Sequence, residues 1–169
     1  MVPMDELEGR FHAGAHVQLV KSAVLANMNT LRVWGGGLFL PSSWYDACDD
    51  YGVLVVQDQM YAQNGHDPQR SDIEEREIRH NIRLLSSHPS IVIWTGCNEC
   101  TVNMKNSSSI YATFVMTVVA QEDGSRAVWP SCPASGWKSG VERLTALPIL
   151  ESALTTPDPQ DIKLSLIHI

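Results

Sequence analysis

Short apolar runs alternate with stretches of helical periodicity along this chain, and that alternation constrains its fold more than any other feature. The runs are Thr30–Trp34, Val53–Gln57, Ile91–Trp94 and Ala127–Trp129. They are too short for helices, and they lack the polar alternation of a half-exposed strand. Strands buried on both faces read this way, which implies a parallel sheet covered by helices. The strand starts, near residues 29, 53, 90 and 127, are roughly 24 to 37 residues apart, ordinary spacing for βα units.

The intervening segments carry helix punctuation. From about His12 to Ala26, Val17, Val20 and Val24 recur at helical spacing, with Lys21 on another face. Pro41-Ser42-Ser43 opens a second helix with Trp44, Ala47, Cys48 and Tyr51 on one stripe, and Gly52 ends it. Ser71-Asp-Ile-Glu74 resembles a capping box, opening a helix with Ile78, Ile82 and Leu85 inward. His88-Pro89 stops that helix and fixes the entry into the next strand. Tyr111, Phe114, Val115, Val118 and Val119 give the cleanest amphipathic helix, with Gly124 where a C-cap glycine belongs.

Composition narrows the class. With 44% apolar and 18% charged residues the chain is globular. A net charge of −7 argues against nucleic acid or an anionic membrane as partner. No apolar stretch approaches the roughly 18 to 20 residues of a membrane helix, and Met1–Glu6 has no secretory-leader pattern. Four cysteines, Cys48, Cys97, Cys100 and Cys132, are too few for a disulfide framework.

The chemistry concentrates at Ile91-Val-Ile-Trp94-Thr-Gly-Cys97-Asn98-Glu99. A buried parallel strand opens at its C-terminal end onto the face where barrel enzymes keep their reacting groups. An amide and a carboxyl placed there suit a glycosidase acid. Such an acid must hold its proton until the leaving oxygen takes it, so burial against an aromatic wall would help by raising its pKa. Trp94 is the candidate wall, with its direction left open.

Several motifs together resemble glycoside hydrolase family 2 in its β-mannosidase branch. Asn27-Met-Asn-Thr-Leu-Arg-Val-Trp-Gly-Gly-Gly37 is similar to the second barrel strand and its exit loop. Trp44–Gly52 and Val53–Asp58 resemble the following helix and third strand, and His88–Glu99 the fourth strand with its signature. The resemblance runs in order from about residue 2 to residue 147. It implies an α/β fold, a partial (β/α)8 TIM barrel holding roughly strands two to five with their helices. A complete barrel needs about 250 residues. Residues 1–147 would be the partial catalytic domain. Residues 148–169 would be a tail outside it, whose closing Leu-Ser-Leu-Ile-His-Ile resembles adapter read-through.

By the same resemblance, Glu99 is the general acid/base of a retaining exo-β-glycosidase acting on terminal β-D-mannosyl residues of oligosaccharides or glycoproteins. Asn98 matches the amide that binds the glycone 2-hydroxyl, and Trp34, Arg32 and Asp58 match positions around the sugar. No cofactor or metal is implied. The partners are the β-mannoside glycan and the remainder of the polypeptide, which should carry the nucleophilic Glu at the end of strand seven. Glu142 and Glu151 follow strand five too closely for that role. The chain alone should therefore be inactive, with exposed sheet edges that make it marginally stable. Relatives of this kind are lysosomal or secreted. Cys97, Val56, Gln59 and Tyr61 depart from the family pattern, which bears on sugar preference.

Other readings remain at this point. Exo-β-glucosaminidases share the Trp-Gly-Gly-Gly run, and a non-catalytic sugar-binding remnant would keep the same subsite. Cys97-Asn-Glu-Cys100 has the spacing of a thiol oxidoreductase; zinc would need two more ligands, and His88 and Cys132 lack characteristic spacing. Two free thiols beside the site is the simpler expectation. Gly35-Gly36-Gly37 fits neither common nucleotide fingerprint. His66 lies in a loop over the catalytic face.

Overall fold

The computed structural model describes residues 13–62, 68–100 and 110–132. His66, Glu142, Glu151 and the 148–169 tail lie outside them. The elements follow the expected order: α1 (Ala13–Leu25), β1 (Thr30–Val33), α2 (Ser42–Tyr51), β2 (Leu54–Asp58), α3 (Asp72–Leu85), β3 (Ile91–Thr95), α4 (Met116–Glu122) and β4 (Ala127–Trp129). The strands form one parallel sheet in the order β1-β2-β3-β4. Strands paired in sequence order, each joined through a helix, are successive βαβ units, as one arc of a (β/α)8 barrel requires.

Register decides which side chains share a face. Arg32 pairs with Val56 and Val33 with Gln57, while Gln57 pairs with Trp94 and Asp58 with Thr95. Partners in a parallel ladder point the same way, so Arg32, Val56, Asp58 and Thr95 share one face. Leu31, Val33, Val55 and Trp94 take the other and join Val20, Trp44, Cys48, Ile82, Val115 and Val119 in the apolar core. A register shift between Val55 and Val56 sets β3 against β2, since Val55 meets Ile91 and Val56 meets Ile93.

Helix ends follow local chemistry. Gly52 takes a left-handed φ of 68° and its N–H reaches the carbonyls of Asp49 and Cys48, which ends α2. The Ser71 side chain accepts from the Glu74 N–H at 3.2 Å and so caps α3. The other half of the expected box is absent, because the Glu74 carboxylate takes the Tyr61 hydroxyl and the Gln69 N–H, each at 2.6 Å. Before β3, Asp49 holds His88 Nδ1 at 2.7 Å and accepts from the Ser90 N–H at 2.9 Å. Burial raises that carboxyl's pKa, yet the bonds from Ser90 and His88 outweigh it and hold the pKa below its usual value. His88 thus fixes the strand entry, as expected.

Five expectations need correction. Val24 is exposed, and Ala23 takes the inward position after Val20; α1 is turned so that buried His16 meets Ser43 Oγ of α2 at 2.5 Å. Tyr51 and Leu54 are also exposed, at the end of α2 and the start of β2. The helix before β4 begins as one π turn, Tyr111–Val115, with the Thr117 hydroxyl donating to the Ala112 carbonyl five residues back at 3.0 Å. It ends at Asp123 in extended conformation, so Gly124 is not a left-handed cap.

Candidate functional site

At the C-terminal edge the ladder outlasts the named strands. Asn98 bridges in parallel to both Ala62 and Cys132. The Asn98 N–H reaches the Tyr61 carbonyl at 2.9 Å, and the Glu99 N–H reaches the Cys132 carbonyl at 3.0 Å. Glu99 itself takes a left-handed φ of 53°. A non-glycine residue there costs about 1 kcal/mol or more and persists only where neighbours over-determine it. The two flanking strand ends supply that constraint.

Arg32 organises the face beneath. Its Nε and Nη2 donate to the two Asp58 oxygens at 3.1 and 2.6 Å, and Nη2 also donates to Asn98 Oδ1 at 2.9 Å. Asp58 is fully buried and also accepts from the Gly35 N–H at 3.0 Å. A side chain at Gly35 would come within 2.6 Å of the Gln59 carbonyl, so this approach requires glycine. Burial pushes the Asp58 carboxyl above its usual pKa range, with Arg32 pulling it back. Burial likewise works against the Arg32 charge, and the contact with Asp58 outweighs it, raising the guanidinium. Because Arg32 only donates, Asn98 must turn its oxygen toward it.

Arg32, Asp58 and Asn98 therefore come together as expected, with Glu99 adjoining through the backbone. Trp34 is half-buried after β1, and a methyl at Gly36 would run into its ring. No hydrogen bond ties it to the other three among the described residues. Trp94 corrects the expectation of an aromatic wall. It is fully buried on the opposite face, where its Nε1 donates to Asp123 Oδ2 at 2.8 Å. Glu99 is exposed, so the described residues do not bury its carboxyl. Cys97 and Cys100 are joined as a disulfide, correcting the expectation of free thiols; Cys48 and Cys132 are the free pair.

Sequence reasoning missed the clasp behind this edge. Asp123 binds Trp94, the Ser125 N–H at 2.9 Å and Arg126 at 2.5 Å. Arg126 donates onward to the carbonyls of Ile91, His88 and Ser86 at 2.6, 2.9 and 3.0 Å. Asp123-Gly-Ser125 was its only signal, since Asp commonly bonds the backbone N–H two residues on.

No family model matches the chain. A curated β-mannosidase of Rattus norvegicus is 33% identical over 159 residues, covering 83% of this chain and 18% of its own. One of Bos taurus is 31% identical over 185 residues, covering 99% and 20%. Among solved structures, the β-D-mannosidase of Dictyoglomus thermophilum superposes with a TM-score of 0.65 at 30% identity, covering 75% of this chain and 17% of that one. β-Glucuronidase 3 of Bacteroides uniformis, at 17% identity and a TM-score of 0.58, shares the fold alone. Fold and relatives define part of a glycoside hydrolase (β/α)8 barrel. The chain is a β-mannosidase-like member of glycoside hydrolase family 2. It spans about a fifth of the length of the curated relatives it matches.

Proposed function

We propose that this chain carries the acid/base side of a retaining exo-β-mannosidase site, acting on terminal β-D-mannosyl residues of oligosaccharides or glycoproteins. Glu99 gives its proton to the leaving glycosidic oxygen and then takes one from the attacking water. Asn98 donates to a hydroxyl of the glycone, Arg32 and Asp58 hold Asn98 in place, and Trp34 offers an aromatic face to the sugar. The observation that carries this reading is the Arg32 contact to Asn98 Oδ1, which ties the amide oxygen to the Arg32–Asp58 pair and reserves the amide N–H groups for donation. Residues 1–147 form the barrel segment, and 148–169 lie outside it.

A retaining glycosidase needs a second carboxylate about 5 Å from the first. In this reading it belongs to a Glu ending the seventh barrel strand, beyond the segment that resembles the family. Purified 1–169 should then release no sugar from an aryl β-D-mannoside; release abolished by Glu99→Gln would refute this division of the site. Where the reading frame continues past residue 148 into the remaining units, the longer enzyme tests Glu99 itself. Glu99→Ala should slow substrates with poor leaving groups by about 10²- to 10⁴-fold. It should spare the glycosylation step for a dinitrophenyl mannoside, with azide restoring turnover. Equal rates for wild type and variant on poor leaving groups would remove Glu99 from the role.

A further inference from the structure

Beyond the end of β2, on the α3 side of the sheet, lies a cavity of about 570 Å³. Its walls are the segment after β1, the segment Gln59–Tyr61 and the first two turns of α3. The volume falls within the roughly 300–1,000 Å³ of small-molecule sites. The Gln59 N–H donates to the Thr95 carbonyl at 2.7 Å, so strand alternation runs on past Asp58. It turns the Gln59 side chain away from the face that holds Arg32 and Asp58, toward the cavity. Gln59 is 1% exposed, yet neither Nε2 nor Oε1 has a hydrogen-bond partner among the described residues. Buried amides in folded proteins are rarely left in that condition. Around the amide stand the apolar surfaces of Phe39, Met60 and Ile73 and the carboxylates of Glu74 and Glu77. Glu74 already accepts from the Tyr61 hydroxyl and the Gln69 N–H, whereas Glu77 is exposed at the rim.

We propose that this cavity binds a neutral, hydroxyl-bearing ligand, a pyranose unit of a saccharide, apart from the face of Arg32, Asp58 and Asn98. Gln59 decides the chemistry. Its Oε1 needs a donor and its Nε2 an acceptor, and a hydroxyl serves as either. An ammonium group would satisfy Oε1 and the carboxylates but leave Nε2 without an acceptor. An anion would satisfy Nε2 but meet the like charges of Glu74 and Glu77. Phe39 and Ile73 offer apolar surface to the C–H face of a pyranose ring, and Glu77 can accept from a further hydroxyl. Met60 is half-buried, and its unbranched side chain is the part of the wall that yields to let a hydroxyl reach the amide. The proposal does not rest on the hydrolytic reading, since none of these side chains belongs to the acid/base site.

The test is a titration of the complete 169-residue chain with D-mannose and, separately, D-glucose, followed by NMR. At least one sugar should give saturable shifts in the Gln59 side-chain amide and in Phe39 and Ile73. D-Glucuronate and butylammonium should bind more weakly than that sugar. Gln59→Leu should weaken the sugar by about ten-fold or more, because its hydroxyls then meet no partner at the cavity floor. The same variant should keep its urea midpoint at or above wild type, since the amide has no hydrogen bond to lose. Glu77→Ala, at an exposed helix position, should weaken the sugar without touching the core. No saturable shift with either sugar would overturn the proposal, as would tighter binding of glucuronate or butylammonium. Shifts confined to Arg32 and Asn98 and unaltered by Gln59→Leu would also overturn it, placing the sugar on the other face. Hydrolysis is not read, so failure of the hydrolytic reading leaves this result standing, and the converse also holds.

Discussion

Removing Asp123 tests whether the clasp behind β3 holds the sheet together. Its side chain is 4% exposed and pairs with Arg126. Burial pushes the carboxyl up, but hydrogen bonds from Ser125, Trp94 and Arg126 outweigh burial and bring its pKa from 3.8 down to about 2. At about 1.36 kcal/mol per unit, the preference for the charged form contributes about 2 kcal/mol at neutral pH. Asp123→Asn, which keeps the shape and drops the charge, should lose about that much. Asp123→Ala also orphans the Trp94 indole N–H and strands Arg126 beside three carbonyls, raising the expected loss to about 3–5 kcal/mol. Urea unfolding followed by tryptophan fluorescence reads both. With a slope of about 2 kcal/mol/M, the midpoints should fall by about 1 M and 2 M. The sign with pH follows from the lowered pKa: the contribution is complete above about 4 and disappears as pH falls toward 2. The gap between wild type and Asp123→Asn should therefore close over that window. Midpoints within about 0.2 M at pH 7, or a gap that persists at pH 2, would refute the argument.

Three further outcomes follow from the geometry. Gly35→Ala should cost about 1–3 kcal/mol in the same urea experiment, because the added carbon meets the Gln59 carbonyl at 2.6 Å and backbone must move. Arg32→Lys keeps a charge but loses the fork that binds Asp58 and Asn98 together. The Asn98 side-chain amide resonances should then move toward the shifts of a free Asn, while unchanged shifts would mean that Arg32 does not orient the amide. Ser71→Ala removes the cap on α3 and should cost about 1 kcal/mol by urea unfolding, with the bond from the Tyr61 hydroxyl to Glu74 limiting any wider loss.

What could be read from sequence and what could not divide along physical lines. The strands were legible as short, mostly apolar runs, and where a run is apolar throughout its orientation was not. A run such as Ile91-Val-Ile-Trp94 has no alternation to say which residues face the helices. Trp94 was therefore open to assignment beside Glu99, and only its register with Gln57 puts it on the opposite face. Gly52 and Ser71 announced the ends of α2 and α3 because caps are local chemistry. Val24 misled because α1 takes its rotation from a long-range partner, Ser43, which helical spacing does not reveal. The Asp123–Arg126 clasp and the Asp49 grip on Ser90 escaped notice because each joins segments separated by tens of residues.

Arg32, Asp58 and Asn98 were legible by resemblance, yet their cooperation is a consequence of the sheet. β1, β2 and β3 stand in sequence order, so the C-terminal ends of three consecutive strands bring one residue each to the same face. Arg32 stands opposite Val56, two residues short of Asp58, so its long side chain must reach up to Asp58. That reach sets its fork at the height of Asn98, where the ladder continues past Thr95 through the bridges to Ala62 and Cys132. Glu99 is the first residue beyond that bridge. Its left-handed backbone turns the chain off the strand there, one residue past the point where both neighbouring strand ends still hold it.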